Sequence, residues 1–406
     1  MGLSDSLVLY AELLANIRQI SLAASLPSAS DASTQVALSS DCRTVQLRHR
    51  NDCSQLTLPA KASLGGTLLP IQDKQKGATT LTWRLPLDAS SASPSSSGDL
   101  IPWSASDLHP GSGVACRQCG TEVVPSLSAK VWKDLPSENW AEMMEFWHCH
   151  KPDHHHHHNH GGDSGRADEE SLASRGYGAS SVISAQEGVG FVDLTTLLFA
   201  EKDCRNIVFS LGSYEQGSTD RQNLEFPDST TAQIRSLNIF CSSCRAQLGF
   251  FNVRTAAVTL LKWQISCKAT SGAAPGITQC LGATLISTIS RSGSSKSLIS
   301  PIPETAQETD DKAIHVWVLN SSIVYSSSDA PQPTPAIKLL YRPIGVKEAD
   351  KMLEAVTCDA QEINLPAQAL GEVIRHLDRS NVLLPPSERM FKQWKVGLLT
   401  RWEAKG

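Results

Sequence analysis

The sequence predicts a mainly β protein with helices towards its C-terminus, an α+β chain. Three observations carry that reading. Apolar and polar residues alternate in several separated stretches, two Cys-x-x-Cys pairs stand far apart, and apolar residues at helical spacing gather after Pro366. The chain has 406 residues, 40% of them hydrophobic, enough for two packed units. Its 36 Lys and Arg and 41 Asp and Glu are spread rather than blocked, so direct nucleic-acid binding is not expected. The sequence shows neither an apolar run of about 18 residues nor a basic segment leading into an apolar, cleavable one. No membrane contact is therefore expected, and the predicted location is the cytoplasm, the nucleus or both. Met1-Gly2 through Ser6 fits a loose myristoylation pattern, but an ordinary N-terminus is the preferred reading. Eleven cysteines in this setting fit thiols and metal ligands better than a disulfide framework.

In chain order, residues 7–22 are dense in apolar side chains and read as an opening strand, a strand-turn element or a short helix. Leu81, Trp83, Leu85 and Leu87 alternate with Thr80, Thr82 and Arg84, the pattern of a half-buried strand. Further β-rich stretches are 56–58, 67–71, 257–265, 313–319 and 337–341. Within 257–265, Val258 and Leu260 are followed by Leu261 and Trp263, so the alternation breaks at a bulge or under two-sided burial. Pro366 suits a first helical position, Leu370, Val373, Ile374 and Leu377 share one face, and Asn381 suits the exit. After Pro385-Pro386, Ser387 caps a last predicted helix in which Phe391, Trp394, Leu398 and Trp402 recur, with Gly397 its weak point. Residues 90–99, 152–177 and 290–311 lack a core-forming pattern and read as linkers or surface loops. The middle one carries a histidine tract, 154–158 and 160, read mainly as a solvated insert and secondarily as a weak metal binder.

The chemistry concentrates in cysteine. Cys116-Arg117-Gln118-Cys119-Gly120 and Cys241-Ser242-Ser243-Cys244 each place two thiolates on one tight turn. Two such turns complete the tetrahedron that zinc prefers. Random placement of the cysteines gives roughly 0.3 such pairs, so two are informative. The competing reading is two unrelated pairs, buried or disulfide-bonded. Gly120 allows the left-handed conformation that turns backbone amides towards the sulfurs. One structural Zn2+ held by Cys116, Cys119, Cys241 and Cys244 is therefore expected. The continuation Arg245-Ala246-Gln247-Leu248-Gly249-Phe250 resembles the second knuckle of the zinc-anchored β-tent proteins, the Yippee and cereblon C-terminal-type domains. That resemblance implies a β-tent-like architecture, two antiparallel sheets clamped by the one zinc.

A second dense segment runs from Leu135-Pro136-Ser137 through Trp147-His148-Cys149-His150. Ser137 can cap a short helix with Trp140, Met143, Met144 and Trp147 on one face, presenting His148, Cys149 and His150 at its end. A buried thiol flanked by surface histidines is the equal alternative, and nucleophilic use of Cys149 is the minor one. This segment, the stretch Tyr10–Arg18, the first knuckle, and the closing Leu384-Pro385-Pro386-Ser387 with Trp394-Lys395-Val396-Gly397-Leu398-Leu399 together resemble the HECT-like ubiquitin-protein ligases that bind ubiquitin-conjugating enzymes. The resemblance implies binding of a charged conjugating enzyme and promotion of ubiquitin transfer. It also implies association with the messenger-RNA 3′-end processing endonuclease, with Trp140, Trp147, His148, Cys149 and His150 as the partner-binding element. A non-catalytic assembly factor for that endonuclease is the second reading. Cys358 is the one cysteine near the C-terminal element and the candidate thioester nucleophile, although Val356-Thr357-Cys358-Asp359-Ala360 lacks the usual HECT context. The expected divisions are a β-rich region with the first knuckle (1–151), a His/Gly-rich insert (152–176), a second β region (177–289), a polar linker (290–312) and a HECT-like α+β region (313–406).

Overall fold

The computed structural model describes residues 7–63, 68–88, 101–126, 128–135, 185–224, 236–270, 272–302 and 312–403. The chain forms two compact units, one built from Met1–Leu100 and Ile277–Glu403, the other from Ile101–Gly276.

The first unit opens with β1 (Val8–Leu14) and β2 (Gln19–Ser25), an antiparallel hairpin turned through Arg18 in the left-handed region. Residues 7–22 are thus strand, turn and strand. A separate three-stranded sheet follows, from β3 (Gln35–Leu38), β4 (Thr44–His49) and β5 (Asp52–Thr57). β6 (Thr80–Pro86) then pairs with β2. Its alternation holds, with Leu81, Trp83 and Leu85 buried and Thr82 and Arg84 exposed. These side chains meet Leu9 and Leu22 from the hairpin and Val36, Leu47 and Leu56 from the smaller sheet in one core cluster. Each such burial contributes about 1.5–3 kcal/mol before chain entropy is set against it. Within the expected β stretch at 67–71, the pairing of the described residues is a single bridge between Leu68 and Ala37.

The second unit contains β7 (Val114–Cys116), β8 (Glu122–Val124), β9 (Val131–Asp134), β10 (Val189–Val192), β11 (Thr196–Ala200), β12 (Ile207–Ser210), β13 (Ser236–Cys241), β14 (Gln247–Asn252), β15 (Ala257–Leu261) and β16 (Ile265–Cys267). Seven of them form a sheet in the order β12-β13-β14-β15-β11-β10-β9, and the other three a sheet in the order β16-β7-β8. Pairing is antiparallel except between β9 and β10. β15 is buried on both faces, which explains its broken alternation, and a short 3-10 turn over Lys262–Gln264 separates it from β16.

The chain then returns to the first unit with α1 (Ile277–Ser292), β17 (Lys296–Pro301), β18 (Ala313–Ser327), β19 (Ala330–Ile344), α2 (Val346–Leu353), β20 (Gln361–Leu365), α3 (Ala367–Leu383), β21 (Met390–Phe391) and β22 (Trp394–Thr400). The sheet order is β21-β22-β19-β18-β1-β2-β6, and the start of β18 also pairs with β17, which pairs in parallel with β20. Three expectations are corrected here. The polar stretch at 290–311 holds the end of α1 and the almost wholly buried strand β17. Asn381 lies inside α3, where its Nδ2 donates to the carbonyls of Arg389 (2.8 Å) and Val396 (2.7 Å). The segment after Ser387 is a hairpin, because Val396 and Leu398 bury on one face of β22 while Gly397 faces Leu377 of α3 and the ring of Tyr341. Among the described residues no helix is long and apolar enough to cross a membrane.

Candidate functional site

β7 ends at Cys116, and the chain turns back into β8 through a knuckle with two backbone closures. The Gly120 amide donates to the Cys116 carbonyl (2.9 Å) and the Cys116 amide to the Thr121 carbonyl (2.8 Å). The turn between β13 and β14 repeats this register for register, with Arg245 donating to Cys241 (3.0 Å) and Cys241 to Ala246 (2.8 Å). Both knuckles need a left-handed residue after the second cysteine, and it is Gly120 at φ +75° in one and Arg245 at φ +64° in the other.

The four sulfurs of Cys116, Cys119, Cys241 and Cys244 all lie within 4.8 Å of one another. Cys116 Sγ is 3.5 Å from Cys244 Sγ, and Cys119 Sγ is 3.6 Å from Cys241 Sγ. The pairs separated in sequence therefore form one cluster that joins the three-stranded to the seven-stranded sheet. Cys116 and Cys241 are buried, Cys244 is half-buried and Cys119 is exposed. Burial pushes the Cys116 thiol up to about 12. The Thr121 hydroxyl and backbone amide hold Cys119 down at about 6, its sulfur lying 3.2 Å from Thr121 Oγ1. A bound cation would favour the thiolate form at all four positions. Four thiol ligands leave no coordination position for a substrate, so this centre is suited to holding structure rather than to a reaction.

Sequence reasoning missed the groups that brace the knuckles. The Arg117 guanidinium donates to the carbonyls of Trp263 (3.1 Å), Ala274 (2.8 Å) and Pro275 (2.9 Å), tying the first turn to the chain beyond β15. Asn206 connects the two turns, since its Nδ2 donates to the Glu122 carbonyl (2.9 Å) and its own carbonyl accepts from the Ser242 amide (3.0 Å). Its left-handed backbone, φ +57°, is a conformation Asn tolerates better than most residues. Nothing in the spacing of Asn206 from either pair points to that role.

Cys358 lies in the first unit between α2 and β20. It is half-buried, its sulfur 3.7 Å from the Ala360 carbonyl, and it packs on a cluster that includes Leu298, Ile344 and Ala349. The neighbouring Asp359 carboxylate is held below its ordinary range by the Lys296 ammonium, 2.6 Å away. Trp140, Trp147, His148, Cys149 and His150, and the histidine tract, lie outside the described residues.

Comparison with known proteins finds two relatives and one family. An uncharacterized protein of Schizosaccharomyces pombe is 25% identical over 309 residues, covering 74% of this chain and 78% of its own. An uncharacterized protein of Saccharomyces cerevisiae is 21% identical over 297 residues, covering 72% and 71%. No solved structure matches. The sequence profile described as HECT-like ubiquitin-conjugating enzyme (E2)-binding matches residues 12–396, which includes both cysteine knuckles, Cys358 and the start of β22. The chain belongs to the HECT-like ubiquitin-conjugating enzyme (E2)-binding family.

Proposed function

We propose that the chain binds a ubiquitin-conjugating enzyme and promotes transfer of its ubiquitin, with zinc as a structural ion in the four-cysteine centre. The observation that carries this reading is the family match, which takes in nearly the whole chain. For the ion, tetrahedral thiolate coordination at about 2.3 Å separates sulfurs by about 3.8 Å. The observed separations of 3.5 and 3.6 Å support that fit. Zinc there would supply folding free energy.

Cys358 is the proposed relay thiol. Its sulfur would attack the thioester carbonyl of the charged enzyme, whose own cysteine leaves as a thiol, and an acceptor amine would then take the ubiquitin from Cys358. The test is incubation of the purified chain with activating enzyme, ubiquitin and a panel of conjugating enzymes. At least one should bind, and its ubiquitin should discharge about tenfold faster or more. A reducible adduct lost in Cys358→Ser supports the relay, whereas unchanged acceleration in that variant assigns an adaptor role. Neither binding nor acceleration with any enzyme of the panel would overturn the reading. Among the described residues no observation favours the messenger-RNA 3′-end endonuclease as a partner.

A further inference from the structure

One face of the nine-stranded sheet carries an aromatic and cationic array that the family reading leaves unused. The register sets Phe391 of β21 opposite Trp394 of β22, His315 of β18 opposite Arg342 of β19, and Leu298 of β17 opposite His315. Two residues along, on the same face, Trp317 stands opposite Lys296. Each of the three large rings has its own cation. Lys392 Nζ is 5.7 Å from the Phe391 centroid, the Arg342 guanidinium 5.7 Å from Trp394, and Lys296 Nζ 5.4 Å from Trp317. Phe391 is 51% exposed, while Trp317 and Trp394 are half-buried.

The polar groups beneath this array lack partners. His315 is 7% exposed, and among the described residues neither of its ring nitrogens has a hydrogen-bond partner. The Arg342 Nε is buried and equally unmet. Two of the three cations are already matched, Lys296 by Asp359 at 2.6 Å and Arg342 Nη2 by Glu348 at 3.1 Å, yet those pairs leave the Nε and the imidazole unsatisfied. A buried polar atom without a partner lacks the hydrogen bond that water gave it in the unfolded chain, and a group that met these would restore it on binding.

We propose that this face binds an acidic polypeptide segment, one carboxylate reaching the His315 ring and Arg342 Nε past the edge of Trp394 while an apolar neighbour packs on Phe391. With Lys296 and Arg342 already paired, Lys392 supplies the charge that such a segment complements. A single-stranded nucleic acid fits less well. Trp394 meets His315 at 67° and Trp317 at 73°, edge to face, and the cations lie over the ring faces on which bases would stack.

The test uses the full chain and a fluorescent peptide of about a dozen residues alternating Glu and Leu, followed by anisotropy. The peptide should bind with Kd of about 100 µM or tighter, and a Lys-for-Glu version should not bind. Raising salt from about 50 to about 300 mM should weaken binding several-fold. The exposed double variant Phe391→Ala, Lys392→Glu should lose about tenfold with an unchanged thermal midpoint, while Arg254→Glu, an equal charge change in the other unit, should bind normally. Absence of binding at millimolar peptide, or equal binding by the double variant, overturns the proposal. So does an oligouridine RNA that binds more tightly than the peptide and is lost in the same variant.

Discussion

The two cysteine knuckles share a backbone turn, and the residue that must be left-handed is Gly120 in one and Arg245 in the other. Gly120 takes that conformation without strain, and a Cβ there would meet nothing within 4 Å. Arg245 pays about 1–2 kcal/mol for it as a residue with a Cβ. Its guanidinium recovers part of this over the Tyr214 ring, 5.1 Å from the centroid, and little from Glu215 at 3.9 Å between two exposed side chains. Gly120→Ala should therefore lower unfolding free energy by about 1 kcal/mol through backbone strain alone. Arg245→Gly should leave it within about 0.5 kcal/mol, since relief of strain and loss of the ring contact oppose each other. Urea denaturation of both variants decides this, and an unaltered Gly120→Ala midpoint would refute the strain argument. Gly120 was legible because the turn follows from spacing. Asn206 was not, because its two partners are distant in sequence and become neighbours only when both knuckles are formed.

After the second knuckle the sequence Leu248-Gly249-Phe250 lies in β14, and the glycine answers to the neighbouring strand. A Cβ at Gly249 would collide with the backbone carbonyl of Thr259 on β15, where no side chain can move aside. Gly249→Ala should cost about 3 kcal/mol, seen as a drop in thermal midpoint. Gly371→Ala, on α3 with nothing near its Cβ, should be neutral or stabilising. Equal effects of the two would refute the steric account. Elements exposed on one face were readable in this way: β6 alternates and α3 carries its apolar stripe. Elements enclosed on two sides were not. β17 has Ser297 and Ser300 buried between β18 and β20, and two-sided burial erases the period that marks a strand. The spacing of Phe391, Trp394 and Leu398 fits a helix as well as a hairpin. The hairpin prevails because β19 offers β22 a full ladder and α3 caps its outer edge, Ser380 Oγ accepting from the Leu398 amide at 2.9 Å.

For the whole molecule, the four-cysteine centre belongs to the inserted unit, so loss of its ion should act there first. One zinc per chain by elemental analysis is expected, and chelation should reduce the stability of that unit on the order of 5 kcal/mol. Hydrogen exchange should then rise in β7, β8, β13 and β14 while β1, β2 and β6 keep their protection. No stoichiometric metal, or a Cys241→Ser variant as stable as the parent, would refute the structural role. The first unit raises a different matter, one of timing. β1 pairs with the end of β18, and the Leu9 amide reaches Ser328 Oγ at 2.8 Å across 319 positions of chain. A ribosome adding about 10 residues per second needs roughly half a minute to cover that interval. Throughout it the outer edge of β1 stands open as a template for other strands. The inserted unit emerges during the same wait and can close around its metal first. Synthesis thus asks of a chaperone a shelter that the finished fold no longer needs.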